Sequence, residues 1–262
     1  MACIIGTANR VLTGSLTAGS SATAVTNLAN QYAGVARSWS TATGVTTPAG
    51  GAWMVVDSGS ALTTWQAFGL FRTNLSASSV VTWAVGPNSS GASPVYSATT
   101  QQCDPAYGQV VHVAPSSVAG RYLRIEITDS AAAGNVIRAA FLYAGPVLQP
   151  AIGRDYSSAY NITSGEIVTT TRGGIEQVTE TWQARTATAS FSGLTEDEAD
   201  ALRDLDGEAR SGMNCLLVPE TVSSHIHQET IFGRMQIGGT VGYAATGDRA
   251  RTAKLTFSER VG

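Results

Sequence analysis

RYLRIEITDSAAAGNVIRAAFLYAGPVLQP, residues 121–150, reads as two strands and a stop. In the first strand Leu123, Ile125 and Ile127 alternate with Tyr122, Arg124, Glu126 and Thr128. A period of two puts the aliphatic set on a buried face and the polar set on the other. Ala-Ala-Gly-Asn is the turn, because Gly134 and Asn135 tolerate positive φ at little cost. The second strand, Val136 to Tyr143, is apolar nearly throughout, with Arg138 its one charge, so it is expected to be covered on both faces. Gly145-Pro146 ends it and Pro150 follows, which marks the close of one unit and the hinge to the next.

Upstream, short apolar runs are separated by Gly, Pro, Asn and Ser. Trp53–Asp57, Thr64–Asn74, Val80–Val85 and Gln109–Val113 read as strands, and the pieces around Leu28–Tyr32 and Gly34–Trp39 as extended. Both faces of TWQAFGLFRTN are partly apolar, so that strand is expected to be central. Seven or eight such strands with turn signals between them predict a β-sandwich of the jelly-roll kind over residues 1–149.

Downstream, residues 150–262 predict a β-rich α+β unit. Tyr160–Thr171 and Gln177–Phe191 read as a strand pair around Arg172-Gly173-Gly174. One helix is expected at about 195–210. Thr195 and Glu198 form a capping box, acids fill the first turn, and Leu202, Leu205 and Ala209 make an apolar stripe. Asp204, Asp206 and Glu208 are expected to face water, and Gly212 to cap the end. Cys215–Val218, Ile226–Met235 and Ala253–Phe257 follow as strands, with a turn at Thr246-Gly247-Asp248.

The charge distribution agrees with a boundary at 149/150. Residues 1–149 carry six Arg and four acids, residues 150–262 ten basic and fifteen acidic residues. A net charge of −3 argues against nucleic acid as a partner. Cys3, Cys103 and Cys215 are odd in number and without zinc spacing, which suits reduced thiols. The start MACIIGTANR shows no signal-peptide pattern and no apolar run reaches transmembrane length. The expectation is a protein made in the cytoplasm that does not insert into a membrane.

His225, His227 and Glu229 fall on one face if they lie on a strand, and two His with a Glu suit a divalent metal. The same triplet also suits an exposed strand face, and no fourth ligand lies nearby. No nucleophile elbow, phosphate loop or convincing carboxylate pair accompanies it, so no enzyme activity and no cofactor are expected. The acids between Glu196 and Glu208 follow helix capping rather than calcium-loop spacing. Four of the five Trp lie between Trp39 and Trp83. Trp53, Trp65 and Trp83 sit in strand patterns and are expected in the core. Trp39, beside a Thr/Ser/Gly loop, is the one expected to be exposed, where it could stack on a sugar ring.

Two resemblances follow. Residues from about 25 to 149 resemble a galactose-binding-like (discoidin-type) jelly roll through Asn27-Leu28, Arg37–Thr41, WMVVDSG at 53–59, FRTNLS at 71–76, RYLRIEITD and FLYAGP. Ser58 stands where that family commonly has Leu. The resemblance implies a carbohydrate site, with Trp39, Arg72 and Asn74 as its residues. The C-terminal half, with TETWQARTATASFSGLTEDEADALRDL and CLLVPE, is similar to distal-tail or baseplate ring subunits of long-tailed bacteriophages. That similarity implies a structural virion protein at the phage tail tip, a homo-oligomeric ring in contact with other tail proteins and with host surface glycans. A carbohydrate-binding adhesion module without a ring role is the alternative, and a glycosidase or metal hydrolase a further one.

Overall fold

A computed structural model of the chain describes residues 2–31, 38–101, 107–152, 154–155, 158–170, 176–238, 242–243 and 251–260. Its elements in chain order are β1 (Ile4–Gly6), β2 (Ser15–Ala18), β3 (Trp39–Ser40), β4 (Trp53–Asp57), β5 (Thr64–Phe71), β6 (Val80–Gly86), β7 (Tyr96–Gln101), β8 (Gln109–Ala119), β9 (Tyr122–Thr128), β10 (Arg138–Ala139), β11 (Phe141–Gly145), β12 (Val147–Leu148), β13 (Ala159–Thr170), β14 (Glu176–Leu194), α1 (Glu196–Arg210), β15 (Cys215–Val218), α2 (Ile226–Glu229), β16 (Ile231–Ile237), β17 (Gly242–Tyr243) and β18 (Arg251–Glu259). The chain is mainly β, as the alternating patterns require. Residues 34–37, Cys103, Arg172-Gly173-Gly174 and Thr246-Gly247-Asp248, which the sequence reading singled out, lie outside the described residues.

The first half is a sandwich. A five-stranded sheet, β2-β4-β9-β6-β7, faces a three-stranded one, β11-β5-β8. The alternation in β9 holds: Leu123, Ile125 and Ile127 all enter the core, beside Met54, Val56, Val81, Trp83 and Val85. Phe68 stacks on Trp83 at 5.6 Å between ring centroids. Residues 121–150 do not form a hairpin, however. β9 belongs to the five-stranded sheet and β11 to the three-stranded one, so the turn at 133–135 carries the chain from one layer to the other. Gly134 and Asn135 have φ of 73° and 53°, the left-handed values that turn needs.

The simple period of two fails in β5. The register against β8 shifts between Trp65 and Ala67, and such a bulge moves later side chains to the other face. Trp65 therefore shares the inner core with Phe68 and Leu70, while Ala67 and Phe71 point outward. The outward face does not meet water.

An eight-stranded sheet, β12-β1-β15-β16-β18-β14-β13 with β17 added beside β18, covers it. Ile4, Leu216, Val218 and Phe232 of that sheet pack on Ala67, Phe71, Val111, Phe141 and Tyr143. The layers thus run five-stranded sheet, three-stranded sheet, eight-stranded sheet, helix. Both faces of Phe141–Gly145 are covered, as its continuous apolar run predicts, and all five residues are buried.

Strand pairing crosses the boundary expected at 149/150. β1, from the N terminus, pairs with β15 on one side and β12 on the other. Ile4 turns to the jelly roll and Ile5 to the helix side, and both are 0% exposed. Gly145, read as a terminator, also permits this crossing: a Cβ there would run into the Ala8 carbonyl.

On the far face α1 buries Ala199, Leu202, Leu205 and Ala209 against Phe191, Leu217, Ile231, Met235, Leu255 and Phe257. The capping box at Thr195 and Glu198 is present. Asp206 departs from the expectation that it faces water. It is buried, accepts from the Ile237 N–H at 3.2 Å and pairs with Arg210 at 2.7 Å. The helix ends at Arg210 with Ser211 as its cap, and Gly212 lies one step beyond at φ 95°. Cys3 and Cys215 are free and buried, and burial pushes each thiol up to about 12.

Candidate ligand-binding cleft

Where the jelly-roll loops meet the eight-stranded sheet, they leave a cleft of about 340 Å³. Arg72, Asn74, Tyr107 and Arg138 come from the first half, and Arg185 and Glu259 from β14 and β18. Arg185 is its pillar. The side chain is 3% exposed and donates Nε and Nη2 to the two oxygens of Glu259 at 2.8 and 2.7 Å. Nη1 donates to the Gln228 carbonyl at 2.6 Å and Nη2 also to Gln109 Oε1 at 2.9 Å. The Tyr107 ring lies 4.8 Å from the guanidinium carbon. Burial works against the charge, but the Glu259 carboxylate outweighs it and holds the guanidinium above its ordinary pKa.

Arg72 follows the last residue of β5 with φ of 53°, unusual for a residue with a Cβ. The strain is held from two sides. The Thr73 N–H donates to the Gly108 carbonyl at 2.7 Å, and Arg72 Nη2 donates to the Arg260 carbonyl. Non-glycine residues held in such conformations cluster at functional sites. Burial pushes the Arg72 guanidinium below its ordinary value; Glu259 pulls the other way and Arg185 adds to the depression. Asn74 spends its amide on the loop. Nδ2 donates to the Val136 carbonyl at 2.7 Å and Oδ1 accepts from the Arg138 N–H at 2.7 Å. Asn74 therefore sets the position of Arg138, whose side chain stands exposed at the rim.

The structure brings Arg72 and Asn74 together but removes Trp39 from them. Trp39 is 0% exposed, sits in the sandwich core and donates Nε1 to Ser21 Oγ at 2.9 Å. The core encloses it, so no ring face is open to a sugar. Trp65 and Trp83 are core residues as expected. Trp53 is only half-buried, and its ring carries the Arg124 guanidinium at 4.4 Å.

The His225, His227 and Glu229 triplet is not on a strand. Ile226–Glu229 is a helical turn and β16 begins only at Ile231. His227 turns to the jelly roll, where Nδ1 accepts from the Val111 N–H at 3.1 Å, and Gln109 Nε2 donates to its carbonyl. Glu229 lines a second hollow of about 300 Å³ with Tyr107, Arg154 and Tyr160. Among the described residues no group of three His, Cys, Asp or Glu side chains is placed to hold a metal ion.

On β8, His112 Nε2 meets the Tyr96 hydroxyl at 2.7 Å and the ring stacks on Phe68. Burial, and after it the nearby His227, lowers the His112 pKa from 6.5. Below pH 6.5 the unfolded chain binds more protons than the native one, so stability is full above that pH and falls as acid is added. Urea unfolding between pH 5 and 8 is expected to show this decline, and His112→Phe to flatten it. An undiminished slope in the variant would place the acid sensitivity elsewhere.

The sequence reading did not single out Tyr107, Arg185 or Glu259. Arg185 left a signal: it shares strand parity with Ala187, Ala189 and Phe191, all buried. A charge on the apolar parity of a strand needs a buried partner, and Glu259 supplies it.

Fold and cleft together define a β-sandwich that closes a polar, arginine-lined hollow against a second sheet. No protein-family model matches the chain, and no curated protein matches it. Among solved structures it is similar to chitosan-binding module 1 of a chitosanase/glucanase from Paenibacillus sp. IK-5, at 18% identity over 53% of this chain and 99% of that one, TM-score 0.39. It is also similar to the lectin binding domain of Lectinolysin complexed with Lewis b, at 12% identity over 52% and 94%, TM-score 0.41. A Streptococcus pneumoniae fucose binding module aligns at 14% identity over 53% and 98%, TM-score 0.38. At such identities and scores the similarity assigns no ligand to this chain. Among the described residues no helix is long and apolar enough to cross a membrane.

Proposed function

We propose that this chain is a glycan-binding adhesion protein and that the cleft between its sandwich and its second sheet is the ligand site. The observation that carries the reading is the cleft: a concave, mixed polar and apolar hollow flanked by Tyr107, with Arg72, its guanidinium tied to the Arg260 carbonyl, and Arg138, its backbone held by Asn74, in the wall. Sugars offer hydroxyl acceptors in fixed geometry and one apolar ring face, and preset donors beside an aromatic edge suit both. The reading assigns binding and no catalytic step. The test is the full chain on a glycan array, with calorimetry on the hits. Specific binding lost in Arg72→Gln supports the reading; no binding across the array sinks it.

A second reading concerns assembly. Before Thr186, β14 pairs with β13 alone among the described residues, so residues 162–170 and 176–185 form a two-stranded arm. β13 is exposed along nearly its whole length, and Ile162, Ile167, Val168 and Val178 lie open at 43–58%. A lone ribbon with an open edge is marginal in water and a template for another chain. The arm is proposed to dock on a second copy, building a homo-oligomer in which residues 1–149 carry the cleft loops and residues 150–262 the arm. A ring at a phage tail tip, beside other tail proteins, is the finer form of this reading. Light scattering followed by negative-stain imaging tests it: closed rings support it, and a monomer up to high concentration removes it.

A further inference from the structure

The cleft is cationic. Of its wall residues Arg72, Arg138 and Arg185 carry positive charge, and among the described residues Glu259 is the one acid. Glu259 is consumed by Arg185 through both oxygens. Among the described residues neither Arg72 nor Arg138 forms an ion pair with a carboxylate. A partly desolvated guanidinium beside a second cation is unfavourable unless a counter-charge joins it. The fold nevertheless holds Arg72 there, at a positive φ and through the Arg260 carbonyl, and uses Asn74 to hold the Arg138 backbone on the same wall. A planar guanidinium fork matches an anionic pair of oxygens with two parallel hydrogen bonds.

Resting on the glycan-binding reading, we infer that the cleft selects an acidic saccharide, its anionic oxygens held between Arg72 and Arg138 while Arg185–Glu259 supplies the neutral floor. The chemistry is an anionic oxygen group on a sugar, from a uronic or sialic acid carboxylate or from a phosphodiester-linked glycan.

The experiment titrates the full chain by calorimetry with matched pairs: a uronic acid oligosaccharide and its carboxyl-reduced form, a sialylated glycan and its carboxyl-reduced form, and a glycerol phosphate-substituted glycan and its unsubstituted form. At least one charged member is expected to bind tenfold or more tighter than its neutral partner. The preference is expected to shrink as salt is raised, because the attraction is ionic. Arg138→Gln changes an exposed rim residue, and thermal melting will verify that it folds. It is expected to bring the charged member down to the affinity of the neutral one, as is Arg72→Gln. The pair with the preference tells carboxylate from phosphodiester. Equal binding of charged and neutral members would overturn the acidic selectivity and leave the glycan reading standing. Binding of neither member in any pair would overturn this inference, and an empty glycan array besides would remove the reading on which it rests. A preference that survives intact in both Arg variants would place the anion outside this cleft and overturn the assignment.

Discussion

Arg185→Ala is expected to destabilise the fold by about 3–5 kcal/mol, the usual loss when one partner of a buried ion pair is removed. The side chain is 3% exposed and Glu259 is 15% exposed, so the carboxylate left behind stays largely out of water. Three further acceptors lose a donor or a neighbour: the Gln228 carbonyl, Gln109 Oε1 and the face of Tyr107. Because Gln109 opens β8 and Glu259 closes β18, the loss falls on the seam between sandwich and second sheet. Glu259→Gln keeps an acceptor and is expected to cost less. The double variant Arg185→Ala/Glu259→Gln is expected to lose less than the two single losses added, since no buried charge is then orphaned. Urea unfolding of the four proteins measures this. Strict additivity would show that the pair is not coupled.

Phe232→Ala is expected to cost a similar amount, about 3–5 kcal/mol, through the cavity left by a buried ring. Phe232 projects from β16 into the jelly roll. It stacks on Phe71 at 4.7 Å and meets Phe141 and Tyr143 edge-on at 5.9 and 6.0 Å. These are the contacts that make the three-stranded sheet a middle layer. Wild-type protein is expected to unfold in one transition, since β1 and β12 tie the N-terminal half into the second sheet. The variant is expected to unfold at lower urea, and two separated transitions in the wild type would show that the sheets stand independently. The loss should also weaken binding in the cleft, whose walls come from both sides of that contact.

Much of the strand inventory was readable beforehand. The alternation of Leu123, Ile125 and Ile127, the apolar run at 136–143, buried from Phe141 on, and the Thr195–Glu198 capping box are local patterns. The readings that went astray depended on a partner elsewhere. A strict period of two would place Trp65 with Ala67 in β5, and a bulge against β8 separates them. Trp39 looked exposed because its chain neighbours are small and polar, yet its indole N–H finds Ser21, 18 residues away, and the ring is buried. His225–Glu229 read as strand because its pattern alternates, but the segment forms one helical turn whose His227 accepts the Val111 N–H.

The same division holds for the cleft. Arg72 and Asn74 were marked by the FRTN stretch, and Arg138 stood out as the lone charge in an apolar strand. Their convergence with Arg185 and Glu259, separated from them by up to 187 positions, follows only from the docking of the second sheet.

By itself the sequence determined the longer strands, the apolar face of β9, where the helix starts and that the chain is β-rich, because hydrophobic periodicity and capping act over a few residues. The tertiary structure decided that the N-terminal strand joins the C-terminal sheet, that the layers stack in one order and that three arginines share one hollow. Those outcomes rest on pairings between residues far apart in the chain, and an apolar face or a buried charge declares only that it needs a partner, not which one.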